Sequence, residues 1–332
     1  MKAVVLNGID QPLELEELPM PVAAPGEAVV KIQAAAFNKR DWWIQKGQYA
    51  GLKFPIVLGS DGSGTVHSVG DEKDNTWIGK EVVILPSLNW GSNEAVQQKS
   101  FTILGLPEAG TFAEYVKVPV QNLFNKPAHL TFEQAAAFPL SGLTAFRALF
   151  VKGQWQPGEK VLISGVGGGA GSFALQWAVN AGADTYVTSG SREKIEQAIA
   201  LGAKGGVNYR DADWKEQLAK QAGAFDVIID SALGDGFENL VALAAPGGRI
   251  VFFGGTAGNI PAINGRPIFW KQLSILGTTM GSPKDFQAML DFIDQYKIIP
   301  IVDEVLPLAH AEDAVRLLDN DSSRFGKVVL EV

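Results

Sequence analysis

The chain of 332 residues contains no cysteine. That excludes disulfides, thiolate zinc sites and a cysteine nucleophile, and it suits a reducing compartment. Histidine is scarce as well: His67, His129 and His310 are the three present, and none is paired at metal-ligand spacing. A catalytic zinc needs about three converging nitrogen, sulfur or carboxylate ligands, so the sequence argues against one and leaves only a carboxylate site open. Positive charge is not in excess, since 28 Lys and Arg against 36 Asp and Glu give a net charge of −8. The cations are dispersed, so a nucleic-acid surface is not expected. No apolar run approaches the roughly eighteen residues of a membrane span. Met1-Lys2-Ala-Val-Val-Leu6 enters a strand-like run with no cleavable leader. A soluble, cytoplasmic protein with neither a membrane nor a nucleic-acid partner is expected.

Glycine, by contrast, is plentiful at 37 residues, and a 46% hydrophobic content is ample for large cores. The length suggests two domains. Up to residue 120 the chain reads as β-rich: strands such as 27–32, 64–69 and 81–85 are separated by Gly, Pro and Asn. Residues 131–150 carry a helical pattern with Thr131 as N-cap and Glu133 near the first turn. From 160 to 277 strands (161–164, 185–188, 206–208, 227–230, 249–253, 274–276) alternate with helices (170–181, 192–202, 213–222, 237–245). Such alternation marks a doubly wound parallel sheet. A helix over 284–295, a strand over 301–305, a helix over 309–319 and a strand from 326 complete the tail.

The most informative stretch is Val161-Leu-Ile-Ser-Gly165-Val-Gly167-Gly168-Gly169-Ala-Gly171, a short apolar run that breaks into glycines and passes at once into a helical pattern. Glycines there let backbone N–H groups approach a pyrophosphate, which the helix N-terminus then stabilises. Two registers compete, Gly165-x-Gly167-x-x-Ala170 and Gly165-x-x-Gly168-x-x-Gly171. The second is favoured, because Gly171 would then lie against the sheet, where close packing wants no side chain. After the second strand, an NAD site normally places an acid on the ribose 2′-hydroxyl. Here the run is Thr188-Ser189-Gly190-Ser191-Arg192-Glu193-Lys194. Small hydroxyls with Arg192 and Lys194 suit a 2′-phosphate, so NADPH is expected over NADH. Glu193 between the cations opposes this, and the alternative is a helix start capped by Ser191. Tyr209 joins the same cofactor set. Ligands of open α/β sheets lie beyond the carboxyl ends of strands, so Ser231, Gly254, Gly255 and Thr256 are expected to line the nicotinamide ribose. Asp230 is either a strand-end cap or a cofactor contact.

Together these segments resemble the medium-chain dehydrogenase/reductase superfamily, in its zinc-free quinone oxidoreductase-like branch. The resemblance rests on Met1-Lys2-Ala-Val-Val, Asn38-Lys-Arg-Asp41, Pro55-Ile-Val-Leu-Gly59-Ser-Asp61 through Gly70, Gly110-Thr-Phe-Ala-Glu-Tyr115, the glycine turn, Leu201-Gly-Ala203 and Arg324-Phe-Gly326-Lys327. It implies an α/β plus β fold: a GroES-like β-barrel catalytic domain (1–124 and 277–332) around an inserted Rossmann cofactor domain (125–276), with homodimers common. Asn38 falls where zinc-dependent members carry the first cysteine ligand, Ser60 on the histidine and Leu140 on the second cysteine, while Asp61 keeps an acid where many have glutamate.

The resemblance further implies that Asn38, Arg40 and Tyr49 are candidate catalytic donors. Trp42 and Trp43 either wall a flat small-molecule substrate or pack in the core. Asp41 is expected to orient its neighbours, since nothing in the sequence signals a raised pKa. Lys327 either reaches the cofactor or is an exposed tail lysine, and His67 is expected to be packed or solvated. Phe269-Trp-Lys271-Gln272 resembles a stretch near the dimer edge or active site. Without a metal, reducing a quinone or a conjugated C=C asks less than polarising an isolated ketone. The expectation is therefore an NADPH-dependent quinone or enone reductase. Its rivals are an NADP-dependent alcohol/aldehyde oxidoreductase and a low-turnover NADPH-binding module.

Overall fold

A computed structural model describes residues 1–319 and 324–332. The described residues divide into two compact units, residues 1–140 with 281–319 and 327–332, and residues 141–280 with 324–326.

The first unit begins with β1 (Lys2–Leu6), β2 (Leu13–Glu17), β3 (Glu27–Ala36), α1 (Lys39–Gln45), β4 (Ile56–Val57), β5 (Asp61–Val69), β6 (Glu81–Ile84), β7 (Ser87–Leu88), β8 (Thr102–Ile103), β9 (Tyr115–Pro119), β10 (Leu123–Asn125) and α2 (Phe132–Ala137). The second holds most of α3 (Pro139–Phe146), then β11 (Lys160–Ser164), α4 (Gly169–Asn180), β12 (Asp184–Ser189), α5 (Arg192–Ala200), β13 (Gly205–Asn208), α6 (Trp214–Ala222), β14 (Phe225–Asp230), α7 (Phe237–Leu243), β15 (Ala244–Phe252), α8 (Arg266–Trp270) and β16 (Ser274–Gly277). The chain returns to the first unit with α9 (Pro283–Tyr296), β17 (Val302–Pro307), α10 (Ala311–Leu317) and β18 (Lys327–Glu331).

In the first unit, a sheet ordered β2-β1-β4 and another ordered β10-β6-β5-β3-β18-β17, with β9 on β3, enclose one apolar core. Val4, Leu6, Ile32, Phe112, Val116 and Leu330 fill it, and Ile44 anchors α1 in it. Strand register gathers three strand ends at one place. β18 runs antiparallel to β3 with Val329 opposite Ala36, and β5 pairs with β3 so that Asp61 also faces Ala36. The start of β18, the end of β3 and the start of β5 therefore converge on the residues just before α1.

The helical pattern expected over 131–150 is broken in three. Thr131 caps α2 as expected, its Oγ1 accepting from Gln134 N at 3.3 Å. Pro139 then cannot donate the next helical hydrogen bond, so α2 ends and α3 restarts with proline in its first turn, passing into a π-helical turn over Arg147–Lys152. The expected domain boundary at 124 also moves. Ala136 of α2 packs with Ala34, Ala36 and Val329 in a small apolar cluster, which holds residues 125–140 in the first unit. Residues 277–280 lie in the second.

The second unit is a six-stranded parallel sheet ordered β13-β12-β11-β14-β15-β16. The strand order reverses direction between β11 and β14, the point where open α/β sheets bind ligands. β16 and β13 are its edges. No helix among the described residues is long and apolar enough to cross a membrane.

Candidate active site

The glycine turn leaves β11 at the switch point. Gly165 and Gly167 adopt φ of +75° and +122°, where a side chain would be strained. Gly167 has a second constraint: a Cβ there would fall 2.5 Å from Cδ of Lys194, whose buried stem lies across the turn. Gly171 has no room either, but the neighbour differs from the expected one. A Cβ on it would meet the Gly165 carbonyl at 2.9 Å, so α4 packs on the backbone of the turn itself. Gly168 is the N-cap, with extended φ and open space around it, and Gly169 and Ala170 begin the helix behind it. First-turn amides of a helix have no intrahelical acceptor, so they face that space. Ser231 and Gly254 complete the arrangement. Ser231 Oγ lies 3.8 Å from where a Gly165 Cβ would be, and a Cβ on Gly254 would sit 2.5 Å from the Ser231 carbonyl. Gly255 and Thr256 follow, exposed beyond the end of β15. A cradle that side chains would fill, closed by first-turn helix amides without a partner among the described residues, fits the pyrophosphate of a dinucleotide.

Asp230 is the strand-end cap: its Oδ2 accepts from Leu233 N at 2.8 Å and its Oδ1 from Ala232 N at 3.3 Å. Burial pushes its carboxyl above the ordinary range. At the end of β12, Ser189 is buried and its hydroxyl donates to the Val166 carbonyl at 3.2 Å, so it braces the turn. Ser191 caps α5, accepting from Lys194 N at 3.4 Å and donating to Glu193 Oε2 at 2.5 Å. The serine hydroxyl draws the Glu193 carboxyl below its usual range. Arg192 and Tyr209 are exposed. Tyr209 Oη and Arg210 Nε lie 2.7 and 3.0 Å from where a Cβ on Gly190 would be. Arg210, which the sequence reading did not single out, thus stands beside Tyr209 against the loop that ends β12.

In the first unit, the convergence of β3, β5 and β18 builds a buried polar cluster. Lys327 was expected either to reach the cofactor or to be an exposed tail lysine. The second alternative fails, because it is 3% exposed, donating to Asn38 Oδ1 at 2.7 Å and to Asp61 Oδ2 at 3.0 Å. Asn38 Nδ2 donates to the same Asp61 oxygen at 2.9 Å, and the Leu140 amide donates to Asp61 Oδ1 at 2.7 Å. Burial pushes the Asp61 carboxyl up, opposed by the Lys327 ammonium and these hydrogen bonds. Removing one member of such a pair strands a buried charge, at a cost of about 3–5 kcal/mol. Arg40 braces the next layer, donating through Nη1 to Ser60 Oγ at 2.5 Å and to the Leu104 carbonyl at 2.9 Å. Its Nε reaches Tyr49 Oη at 3.5 Å, and its guanidinium lies 5.1 Å from the centre of the Tyr49 ring.

Asp41 accepts from Asn38 N at 2.8 Å and so orients its neighbour as expected. Full burial nevertheless lifts its carboxyl to about 6, a shift the sequence did not signal. Trp42 and Trp43 meet edge to face at 4.6 Å, with Lys39 Nζ 4.4 Å from the Trp42 ring centre. Trp42 packs on the barrel core and lines a polar cavity with Asp10, Gln45, Glu312 and Arg316. His67 is exposed and stands edge-on to Tyr115.

The profile of the alcohol dehydrogenase GroES-like domain matches residues 24–128, and that of zinc-binding dehydrogenase matches residues 169–295. The zinc-type alcohol dehydrogenase-like protein YogA of Leptosphaeria maculans is 33% identical over 340 residues, spanning 97% of this chain and 95% of its own. The chain belongs to the medium-chain dehydrogenase/reductase superfamily. Acryloyl-coenzyme A reductase of Sulfurisphaera tokodaii is 28% identical over 340 residues, with 100% of both chains covered. The crystal structure of an NAD-dependent alcohol dehydrogenase superposes with a TM-score of 0.92 at 39% identity, covering 100% of both chains. The fold is accordingly a GroES-like domain with a Rossmann-type parallel sheet, and the protein is an NAD(P)-dependent oxidoreductase acting on a small molecule.

The zinc in the family's name does not fit the residues here. The positions that the resemblance equates with its ligands, Asn38, Ser60 and Leu140, hold a carboxamide, a hydroxyl bonded to a guanidinium, and an aliphatic side chain. An ammonium already lies against Asn38 and Asp61, where a second cation would be repelled. Among the described residues, no group of three or more His, Cys, Asp or Glu is placed to hold a metal.

Proposed function

We propose that the protein is a cytoplasmic, zinc-independent reductase of quinones or conjugated enones that uses NADPH and works as a homodimer. The observation that carries this reading is the cluster of Lys327, Asn38 and Asp61, which replaces a metal-ligand set with one internal cation. When bound, the reduced nicotinamide supplies a hydride. Gly165, Gly167, Gly168, Gly169 and Gly171 would hold its pyrophosphate, and Ser231, Gly254, Gly255 and Thr256 its ribose side. The chain's own part is to stabilise negative charge on the acceptor oxygen with fixed donors. Asn38 Nδ2 and Arg40 Nη2 keep N–H groups without partners among the described residues, and Tyr49 carries a hydroxyl beside the guanidinium. A conjugated acceptor spreads that charge, so hydrogen bonds suffice where an isolated ketone would call for a Lewis acid. The acryloyl-coenzyme A reductase relative, whose name specifies a conjugated thioester, supports an enone.

Arg192, Lys194, Tyr209 and Arg210 supply the charge and donors for a 2′-phosphate, and β12 ends in Ser189 instead of an acid. A second reading is an alcohol/aldehyde oxidoreductase. It is favoured by the alcohol dehydrogenase of known structure at 39% identity and opposed by the missing ligands. The test is turnover by metal-free, EDTA-treated protein. NADPH oxidation with 2-cyclohexenone or a benzoquinone supports the proposal. Alcohol oxidation that appears only after zinc is added supports the second reading. Nucleotide binding with no turnover on either panel identifies a low-turnover binding module.

A further inference from the structure

We infer that Lys327 is a positioning residue that, together with Asp61, locks the Asn38 carboxamide in one orientation and leaves a single N–H free to donate. An ammonium can only donate and an ionised carboxylate can only accept. Lys327 Nζ stands 2.7 Å from one end of the carboxamide and Asp61 Oδ2 2.9 Å from the other. Flipping the amide would set its NH2 against the ammonium and its oxygen against the carboxylate, two repulsions in a buried site. The orientation is therefore read from both ends.

Strand register makes this possible. Continuing the antiparallel pairing of Val329 with Ala36 brings Lys327 opposite Asn38, although the two lie 289 residues apart in sequence. The backbone is fixed too, because Asp41 holds the Asn38 amide N–H at 2.8 Å. Nδ2 carries two hydrogens, and Asp61 takes one. The other has no partner among the described residues, and the amide plane fixes its direction. The ammonium on Oδ1 also draws electron density from the carboxamide, which strengthens the remaining donor. A metal ion would orient an acceptor oxygen by ligation. Here an internal cation does so at one remove, through the amide it polarises.

The inference rests on the reading of Asn38 as a donor to the acceptor oxygen, and the experiment separates the two. Lys327→Met, Lys327→Arg, Asn38→Ala and the double variant Lys327→Met/Asn38→Ala would be assayed with NADPH and 2-cyclohexenone, and NADPH affinity measured by fluorescence. Lys327→Met is expected to lower kcat by about 30-fold or more while changing the NADPH Kd less than about threefold. It should have no further effect in the Asn38→Ala background, and Lys327→Arg should restore most of kcat.

Because Lys327→Met strands the Asp61 carboxylate, Lys327→Met/Asp61→Leu serves as a folding control and should show wild-type circular dichroism with kcat still low. Equal losses from Lys327→Met in the wild-type and Asn38→Ala backgrounds would overturn the inference, as would a large rise in Kd with kcat preserved. If Asn38→Ala itself loses no activity, the donor reading fails. The orientation is then decided by the side-chain amide resonances of 15N-labelled Asn38. They should shift in Lys327→Met toward the positions of a solvent-exposed asparagine amide, and an unchanged spectrum refutes the lock.

Discussion

Arg192 opens α5 directly after the loop that ends β12, and its guanidinium is exposed there. A 2′-phosphate carries up to two charges that a 2′-hydroxyl lacks, so a nearby guanidinium discriminates between the coenzymes. Arg192→Ala is expected to weaken NADPH binding about tenfold and NADH binding less than about twofold. Equal losses, measured by titrating tryptophan fluorescence, would remove the 2′-phosphate from the account. Glu193 is already engaged by the Ser191 hydroxyl, so its charge is directed to the cap.

Asp41 carries a different signature at this scale. Its pKa rises from 3.8 to about 6 on folding, so the native state binds the proton more tightly than the unfolded chain. Its contribution to stability is therefore fully present below 3.8 and lost as pH rises through about 6. The Asp41→Asn variant should gain about 3 kcal/mol on the wild type between pH 4 and pH 7, in urea unfolding at each pH. Parallel pH profiles for the two proteins would refute it. None of this was legible in the residue order, because burial depends on what packs over Asp41. The burial of Lys327 was hidden for the same reason, since its partners lie on neighbouring segments that only the pairing of β18 and β5 with β3 brings beside it.

The passage from β11 through the glycine turn to α4 is the element whose parts can be separated. Two of its glycines face different neighbours, backbone for Gly171 and open space for Gly168. Gly171→Val would drive a side chain into the Gly165 carbonyl and should destabilise the second unit by about 2 kcal/mol or more. Gly168→Val should cost about 1 kcal/mol as a poorer cap and still raise the coenzyme Kd by about 30-fold or more, by filling the space meant for the pyrophosphate. Thermal unfolding and coenzyme titration of both variants check this. A Gly168→Val protein with wild-type affinity would mean that the turn is not the phosphate site.

Much of this element was legible in sequence. Five glycines between an apolar run and a helical pattern have few other uses, and the alternation of strands and helices predicted the parallel sheet. The reason for Gly171 was not, because in sequence the facing surface could be the sheet or the turn. The split of the 131–150 helix at Pro139 was readable from the proline alone. The packing of α2 on β3 and β18, which moves the domain boundary past 124, was not.

At the scale of the whole molecule, the second unit's sheet leaves two edges, and only one of them is suited to a partner. β13 reads Gly-Gly-Val-Asn and runs directly into Tyr209 and Arg210, which the proposed function gives to the coenzyme. β16 follows α8, where Phe269 and Trp270 are 68% and 83% exposed. An unpaired edge strand beside large exposed aromatics is costly in a monomer and favourable when a second copy covers it. A twofold axis across β16 would let the strand pair antiparallel with its own copy and bring the two aromatic patches together in one self-complementary contact. Trp270→Glu removes the aromatic surface and adds a charge that would face its own copy, while α8 itself, lying on the surface, has no reason to unfold. The wild-type protein should sediment at twice the mass of one chain and Trp270→Glu at the mass of one. Coenzyme affinity should be unchanged, because the glycine turn follows β11, and β14 and β15 separate that strand from the edge being altered. A wild-type protein that sediments as a single chain at micromolar concentration would leave Phe269 and Trp270 to a different partner, and a Trp270→Glu dimer would move the interface off β16.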